Sequence, residues 1–249
     1  MNKCYKYEDD NYEILVEKQI FIKDKKANDY YKSNISNLNE NIIEKLVEYK
    51  SKVSLTHYFL FWVSFISLFF LNIILIKKMF KNHPLFEHNI YNYIFFALYL
   101  LINIFIHEIG HIKSMHLFEK RYNKIGFKMN YYVFPSIFVQ INDIYLLTKR
   151  EKIIVHCSGL LLNLFIIDTI QIVNIFFWDN YILSYSFLFF SYALFWNIVP
   201  VLNSDGYKIL LVLLNMDELE IAKRNHWFIK ITQIIGLILA IRAILLWFI

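Results

Sequence analysis

The 249-residue chain holds only two cysteines, five glycines and three prolines, and just 19% of it is charged. Cys4 and Cys157 fall in a polar tail and an apolar run, with no spacing that suits a disulfide framework or a thiolate metal site, so both read as free thiols. Residues 1–11 lack a short apolar core with a small-residue cleavage site. No signal peptide is therefore expected, and the tail should remain in the cytoplasm. The formal charge of +5 is modest, and the basic residues gather beside apolar runs, where they report orientation rather than a nucleic-acid partner. No two halves repeat visibly, which counts against a transporter built from repeats.

What is abundant is apolar surface. Hydrophobic residues make up 57% and aromatics 19%, gathered in long runs rather than spread along amphipathic faces, which marks an integral membrane protein. A span needs about 20 apolar residues. Stretches of that kind run over residues 55–76, 90–112, 153–177, 182–200 and 227–249, with a shorter one at 207–216 that Pro200 and Gly206 set apart. The expected fold is an all-α polytopic membrane protein of about five to six transmembrane helices (residues 55–249), preceded by a small cytoplasmic α+β segment (residues 1–54). In that segment Ile14, Val16, Ile20 and Ile22 suggest one or two short strands broken by the polar run 23–29. Asn37 with Glu40 reads as a capping box, and Ile42, Ile43, Leu46 and Val47 follow at helical spacing.

The loops give an orientation. Lys113, Lys120, Arg121, Lys124, Lys128, Lys149, Arg150 and Lys152 lie between the second and third spans, whereas residues 178–181 carry no basic side chain. The first connection is then cytoplasmic and the second external, with Lys77, Lys78 and Lys81 the one dissenting cluster. Expected localisation is the cell membrane, multi-pass, with the amino terminus in the cytoplasm.

One apolar run ends in His107-Glu108-Ile109-Gly110-His111. Ionisable side chains are costly in a bilayer, and two histidines four apart on a helix, with a glutamate after the first, are the ligand pair and general base of zinc peptidases. The charge-derived topology brings Asp205, after the fourth span, to the same depth. A catalytic zinc takes three protein ligands and keeps one position open, so His107, His111 and Asp205 are the expected ligands of one Zn2+ ion. Glu108 would take a proton from water and pass it to the leaving amine. Between the second and third spans, residues 127–141 alternate like strands and read as a short membrane-associated β-hairpin whose edge could hold an extended substrate, or simply plug the cytoplasmic mouth.

These residues resemble the site-2 protease family of intramembrane zinc metallopeptidases, which pairs H-E-x-x-H with N-x-x-P-x-x-x-x-D-G; the second motif stands here as Asn197, Pro200, Asp205 and Gly206. A third element of that family, small-Gly-Pro-x-x-Asn, is matched by Ser158, Gly159 and Asn163, with Leu160 in place of the proline. The resemblance covers residues 90–214, where four of the five glycines fall: Gly110, Gly126, Gly159 and Gly206. That placement suggests close helix packing or tight turns. The resemblance also implies that Asn163 and Asn197 contact the substrate backbone or an oxyanion, although membrane asparagines equally join helices. Pro135, Phe138, Asp143 and residues 149–152 look similar to the peptide-maturation and peptide-export branch.

The implied activity is a membrane-embedded zinc endopeptidase that matures a small secreted or ribosomally made peptide. Its partners are then a peptide or membrane-associated substrate, the lipid bilayer and a peptide exporter. Alternatives are regulated proteolysis of a membrane-tethered signalling protein, or a non-catalytic peptide-binding or immunity relative, which would have no need of Glu108.

Overall fold

In the computed structural model, residues 4–34, 38–82, 88–130, 134–200, 204–217 and 219 are described, with isolated positions between 227 and 238. Five short strands come first: β1 (Tyr5–Glu8), β2 (Tyr12–Val16), β3 (Ile20–Asp24), β4 (Asp29–Ser33) and, after the single-turn helix α1 (Glu40–Ile43), β5 (Val47–Glu48). They form one antiparallel sheet in the order β4-β3-β2-β1-β5. This is more sheet and less helix than the sequence suggests. The run 23–29 is the end of β3, a turn and the start of β4. In that turn the Asp24 carboxylate accepts the Lys26 and Ala27 N–H groups, and Asn28 adopts the left-handed conformation (φ 56°). Asn37 lies outside the described residues; the side chain capping α1 is Asn39, which accepts from the Asn41 N–H. Val47 leaves the helical pattern to pair with Lys6 in β1.

Strand β2 is buried on both faces because the sheet is a middle layer. Ile14, Val16 and Ile20 pack toward Ile42 and Leu46, whereas Cys4, Leu15 and Phe21 meet Leu146 and Tyr145 across from them. Polar contacts complete the attachment. Lys23 Nζ lies 2.6 Å from Asp143 Oδ1, the Tyr30 hydroxyl donates to the same oxygen at 2.5 Å, and Lys120 pairs with Glu13.

The rest is helical apart from one hairpin: α2 (Leu55–Asn82), α3 (Ile90–Leu117), β6 (Lys124–Asn130), β7 (Phe134–Gln140), a 3-10 segment (Asn142–Leu146), α4 (Lys149–Val173) continued by a π turn to Trp178, α5 (Tyr181–Ile198) and α6 (Asp205–Leu214). Among the described residues four helices are long and apolar enough to cross a membrane: Leu55–Met79, Ile90–Leu117, Lys149–Trp178 and Tyr181–Ile198. The 10 residues of α6 rise only about 15 Å, half a hydrocarbon core, so it is not a fifth span. The expected span over residues 227–249 lies almost wholly outside the described residues.

Helices α2 and α3 expose Phe59, Val63, Ile66, Phe70, Leu98, Ile102 and Phe105, a surface that suits lipid and would be a liability in water. Helix α4 is the central post, touching α2, α3, α5 and α6. Its apolar face, Ile153, Leu160, Leu164 and Ile167, is sealed in the main core, and Leu160 lets α4 run on as a helix where the related motif has proline. Its polar side chains join neighbours: Asn72 of α2 donates to Asp168 at 2.5 Å and to Ser191 of α5 at 3.1 Å, and Gln171 and Asn174 donate to Ser184.

Candidate metal centre

Helices α3 and α4 can approach closely because small residues face each other. A Cβ on Gly110 would lie 2.7 Å from the Ser158 carbonyl oxygen and 2.8 Å from the Gly159 Cα, and one turn on Ser114 and Ser158 hydroxyls meet at 2.9 Å. Gly159 then lies beneath the two imidazoles. A Cβ there would sit 2.7 Å from His111 Nε2 and 2.8 Å from His107 Nε2, so the bare backbone is what leaves room for both rings.

Asp205 arrives from the other side. Helix α5 stops at Ile198, before Pro200, and α6 begins at Asp205 with Ser204 as its cap, accepting from the Tyr207 N–H at 3.0 Å. Asn197 grips the aspartate twice, its Nδ2 donating to Asp205 Oδ2 at 2.9 Å and its Oδ1 accepting the Asp205 N–H at 3.1 Å. Gly206 sits against the Ile198 carbonyl, where no side chain would fit.

Three ligand atoms thus converge. His107 Nε2 is 3.1 Å from His111 Nε2 and 2.8 Å from Asp205 Oδ2, and His111 Nε2 is 3.5 Å from that same oxygen. A tetrahedral zinc with bonds of about 2.0–2.1 Å requires ligand atoms about 3.3 Å apart, so one face of the tetrahedron is already drawn. The three side chains are 5–12% exposed, and among the described residues they are the one group of His, Cys, Asp or Glu placed to hold a metal. The donor set fits zinc, and the fourth direction is left to water or substrate.

The surrounding groups orient the ligands. His111 Nδ1 lies 2.8 Å from the Val155 carbonyl, which accepts its N–H and leaves Nε2 for metal. The fully buried Asn163 places its Nδ2 3.3 Å from His107 Nδ1, and its Oδ1 has no hydrogen-bond partner among the described residues. Turning the amide over would bring that oxygen to the ring, where it would accept the His107 Nδ1 proton and fix the same tautomer. Glu108 points to the hairpin, where its Oε2 accepts the Val139 N–H at 3.0 Å.

His107, His111, Asn163, Asn197 and Asp205 therefore meet at one place, with Glu108 next to His107 on the same helix turn, whereas Asp143 lies at the attachment of the sheet. Asn103, one turn before His107, is not in contact with it and donates instead to the Tyr99 carbonyl at 2.8 Å. Asp168 joins helices, and His156 is not one of the clustered ligands. His116 lies in the last turn of α3 and stacks on Tyr122. What sequence reasoning misses is the Val155 carbonyl, since a backbone acceptor leaves no residue-type signal. Gly159 was visible as a rare glycine in an apolar run, though not as the floor of the site.

Among curated proteins, the chain is 43% identical over 246 residues to a Bacillus subtilis (strain 168) protein named "Putative peptide zinc metalloprotease protein YydH", covering 98% of this chain and 97% of the relative. No protein-family model matches the chain. No solved structure matches it either.

Proposed function

The chain belongs to the zinc metalloprotease family of that Bacillus relative, and from this premise we propose that it is a membrane-embedded endopeptidase of the site-2 protease kind that matures small peptides. The observation that carries the reading is the convergence of His107, His111 and Asp205 from two separate helices, with Glu108 beside them on a chain rich in candidate spans. His107, His111 and Asp205 would hold a zinc ion, which would supply Lewis-acid polarisation of the scissile carbonyl and a water of pKa about 7. Asn163 and the Val155 carbonyl keep the imidazoles in register, and Asn197 does the same for Asp205. Glu108 accepts the proton of the attacking water and returns it to the leaving amine.

The hairpin supports a place for substrate. In β7 the Val139 N–H points away from β6 and toward Glu108, so this strand edge lies alongside the metal centre. A peptide drawn out along that edge would present its backbone to zinc and base in extended form. The word "peptide" in the relative's name favours small peptides over membrane-tethered regulators. The loop charges support an amino terminus and a catalytic mouth on the cytoplasmic side, where a peptide exporter would take up the product. The test is cleavage of precursor peptides by the purified protein in liposomes. Activity should vanish on chelation and return with one equivalent of zinc; cleavage that survives full removal of the metal would refute the proposal.

A further inference from the structure

Next to the metal centre lies a cavity of about 300 Å3 between the β2–β3 turn, the end of β7 with the 3-10 segment after it, the first two turns of α4, and α6 with the residues that follow it. It has room for a peptide side chain or chain end. None of its lining residues is a metal ligand, yet its walls are continuous with the site. Val139, which donates to Glu108, forms one wall; His156 follows Val155, which holds His111; and Lys208 Nζ lies 3.9 Å from Asp205 Oδ1.

The lining is cationic: Lys18, Lys149, Lys152 and Lys208 against Glu17 and Asp217. Some of that charge is already engaged. Lys149 donates to the Leu213 carbonyl and Asn215, and Asp217 pairs with Lys32 at 3.0 Å. Lys152 is different: its ammonium lies 4.3 Å from the Phe21 ring centre, and among the described residues no carboxylate lies within 4 Å of it. Beside it, His156 is 7% exposed, and its Nδ1 is buried with no hydrogen-bond partner among the described residues. Buried polar atoms without partners are uncommon, and one on a residue that lines a cavity, beside an ammonium with no carboxylate in direct contact, suits an anionic, hydrogen-bonding ligand.

We propose that this cavity binds a carboxylate of the peptide substrate, Lys152 supplying the ion pair and His156 a ring N–H. The ligand's identity as a peptide rests on the protease reading above. The carboxylate belongs to an acidic side chain or to the free carboxyl terminus; both offer the same chemistry to the cavity.

The test uses the full-length, zinc-loaded protein carrying Glu108→Gln in detergent, offered random dodecapeptides made with free and with amidated carboxyl termini. Retained peptides should be enriched about tenfold in Asp and Glu over Asn and Gln at a fixed position, or in free over amidated termini, and the contrast assigns the source of the carboxylate. Lys152→Gln should abolish the preference, Lys152→Glu should turn it toward Lys, and Lys152→Arg should keep it, with zinc content verifying each fold. No retention, retention without preference for carboxylate, or a preference untouched in Lys152→Gln would overturn the assignment. The same peptides are then offered to the unsubstituted protein. Charge-dependent retention without cleavage would refute the protease reading and leave the cavity assigned, whereas cleavage without charge dependence would do the reverse.

Discussion

The helical half and the amino-terminal sheet are held by different forces. Around the metal centre the contacts are short, buried and mostly fixed by small residues and backbone: Gly110 on Gly159, Val155 on His111, Asn197 on Asp205. The sheet is joined through the Leu15, Phe21 and Leu146 cluster, through ion pairs of Lys23 with Asp143 and Lys120 with Glu13, and through a hydrogen bond from Tyr30 to Asp143. One half depends on geometry that a single methyl group would upset, and the other on charges that acid or salt would weaken. Salt should therefore loosen the sheet's attachment before it disturbs the metal centre, and the sheet should outlast loss of the metal, which mild acid brings about first by protonating the imidazole ligands.

The harshest way to break this contrast is Asp205→Ala. Two imidazoles alone should fail to keep the ion, so bound zinc falls from about one equivalent to near none and cleavage disappears. The sheet's hydrogen-exchange protection should stay as it was. A smaller effect is expected from Gly159→Ala, whose methyl would push on both Nε2 atoms; zinc affinity should drop about 10–100-fold in a chelator competition, the range seen when groups orienting the ligands are lost.

The two halves differ in legibility for the same reason that they differ in stability. Metal chemistry needs particular residue types at fixed local spacing, so His107, Glu108 and His111 declare themselves on one helix turn. Asn197 and Asp205 do so across one loop. The sheet needs only alternation, and strands such as Tyr5–Glu8 and Asp29–Ser33 carry polar residues because they are only half-buried. β2 is legible through Ile14 and Val16, but its second buried face, Leu15, is not, being covered by groups as far off as Leu146. The orienting groups fall between these cases: Asn163 was visible as a polar residue in an apolar run, and only the fold directs it to His107 Nδ1.

Gentler changes sharpen the comparison from the other side. Burial works to raise the Asp143 pKa, but hydrogen bonds from Lys23 and Tyr30, with the Arg121 N–H, hold it below the usual carboxylate range. A carboxyl depressed by folding contributes stability above its unfolded pKa and loses it as the pH falls, so the attachment should weaken below about pH 4. Burial, with Asp143 next to it, raises the Tyr30 hydroxyl, whose contribution persists through neutral pH and fades only in strong alkali. Asp143→Asn should mimic acid at neutral pH, lowering protection of residues 5–33 by about 2 kcal/mol, the scale of a lost charged hydrogen bond, with zinc content unchanged. Hydrogen exchange followed across the pH series distinguishes loosening of the sheet from global unfolding.

The central claim is that Glu108 is the base beside a zinc ion held by His107, His111 and Asp205. Zinc content and peptide cleavage measured together on the unsubstituted protein and on Glu108→Gln test it most directly. The account predicts about one zinc in both proteins, with cleavage reduced to background in the variant. Full cleavage by Glu108→Gln, or no zinc in the unsubstituted protein, would contradict it.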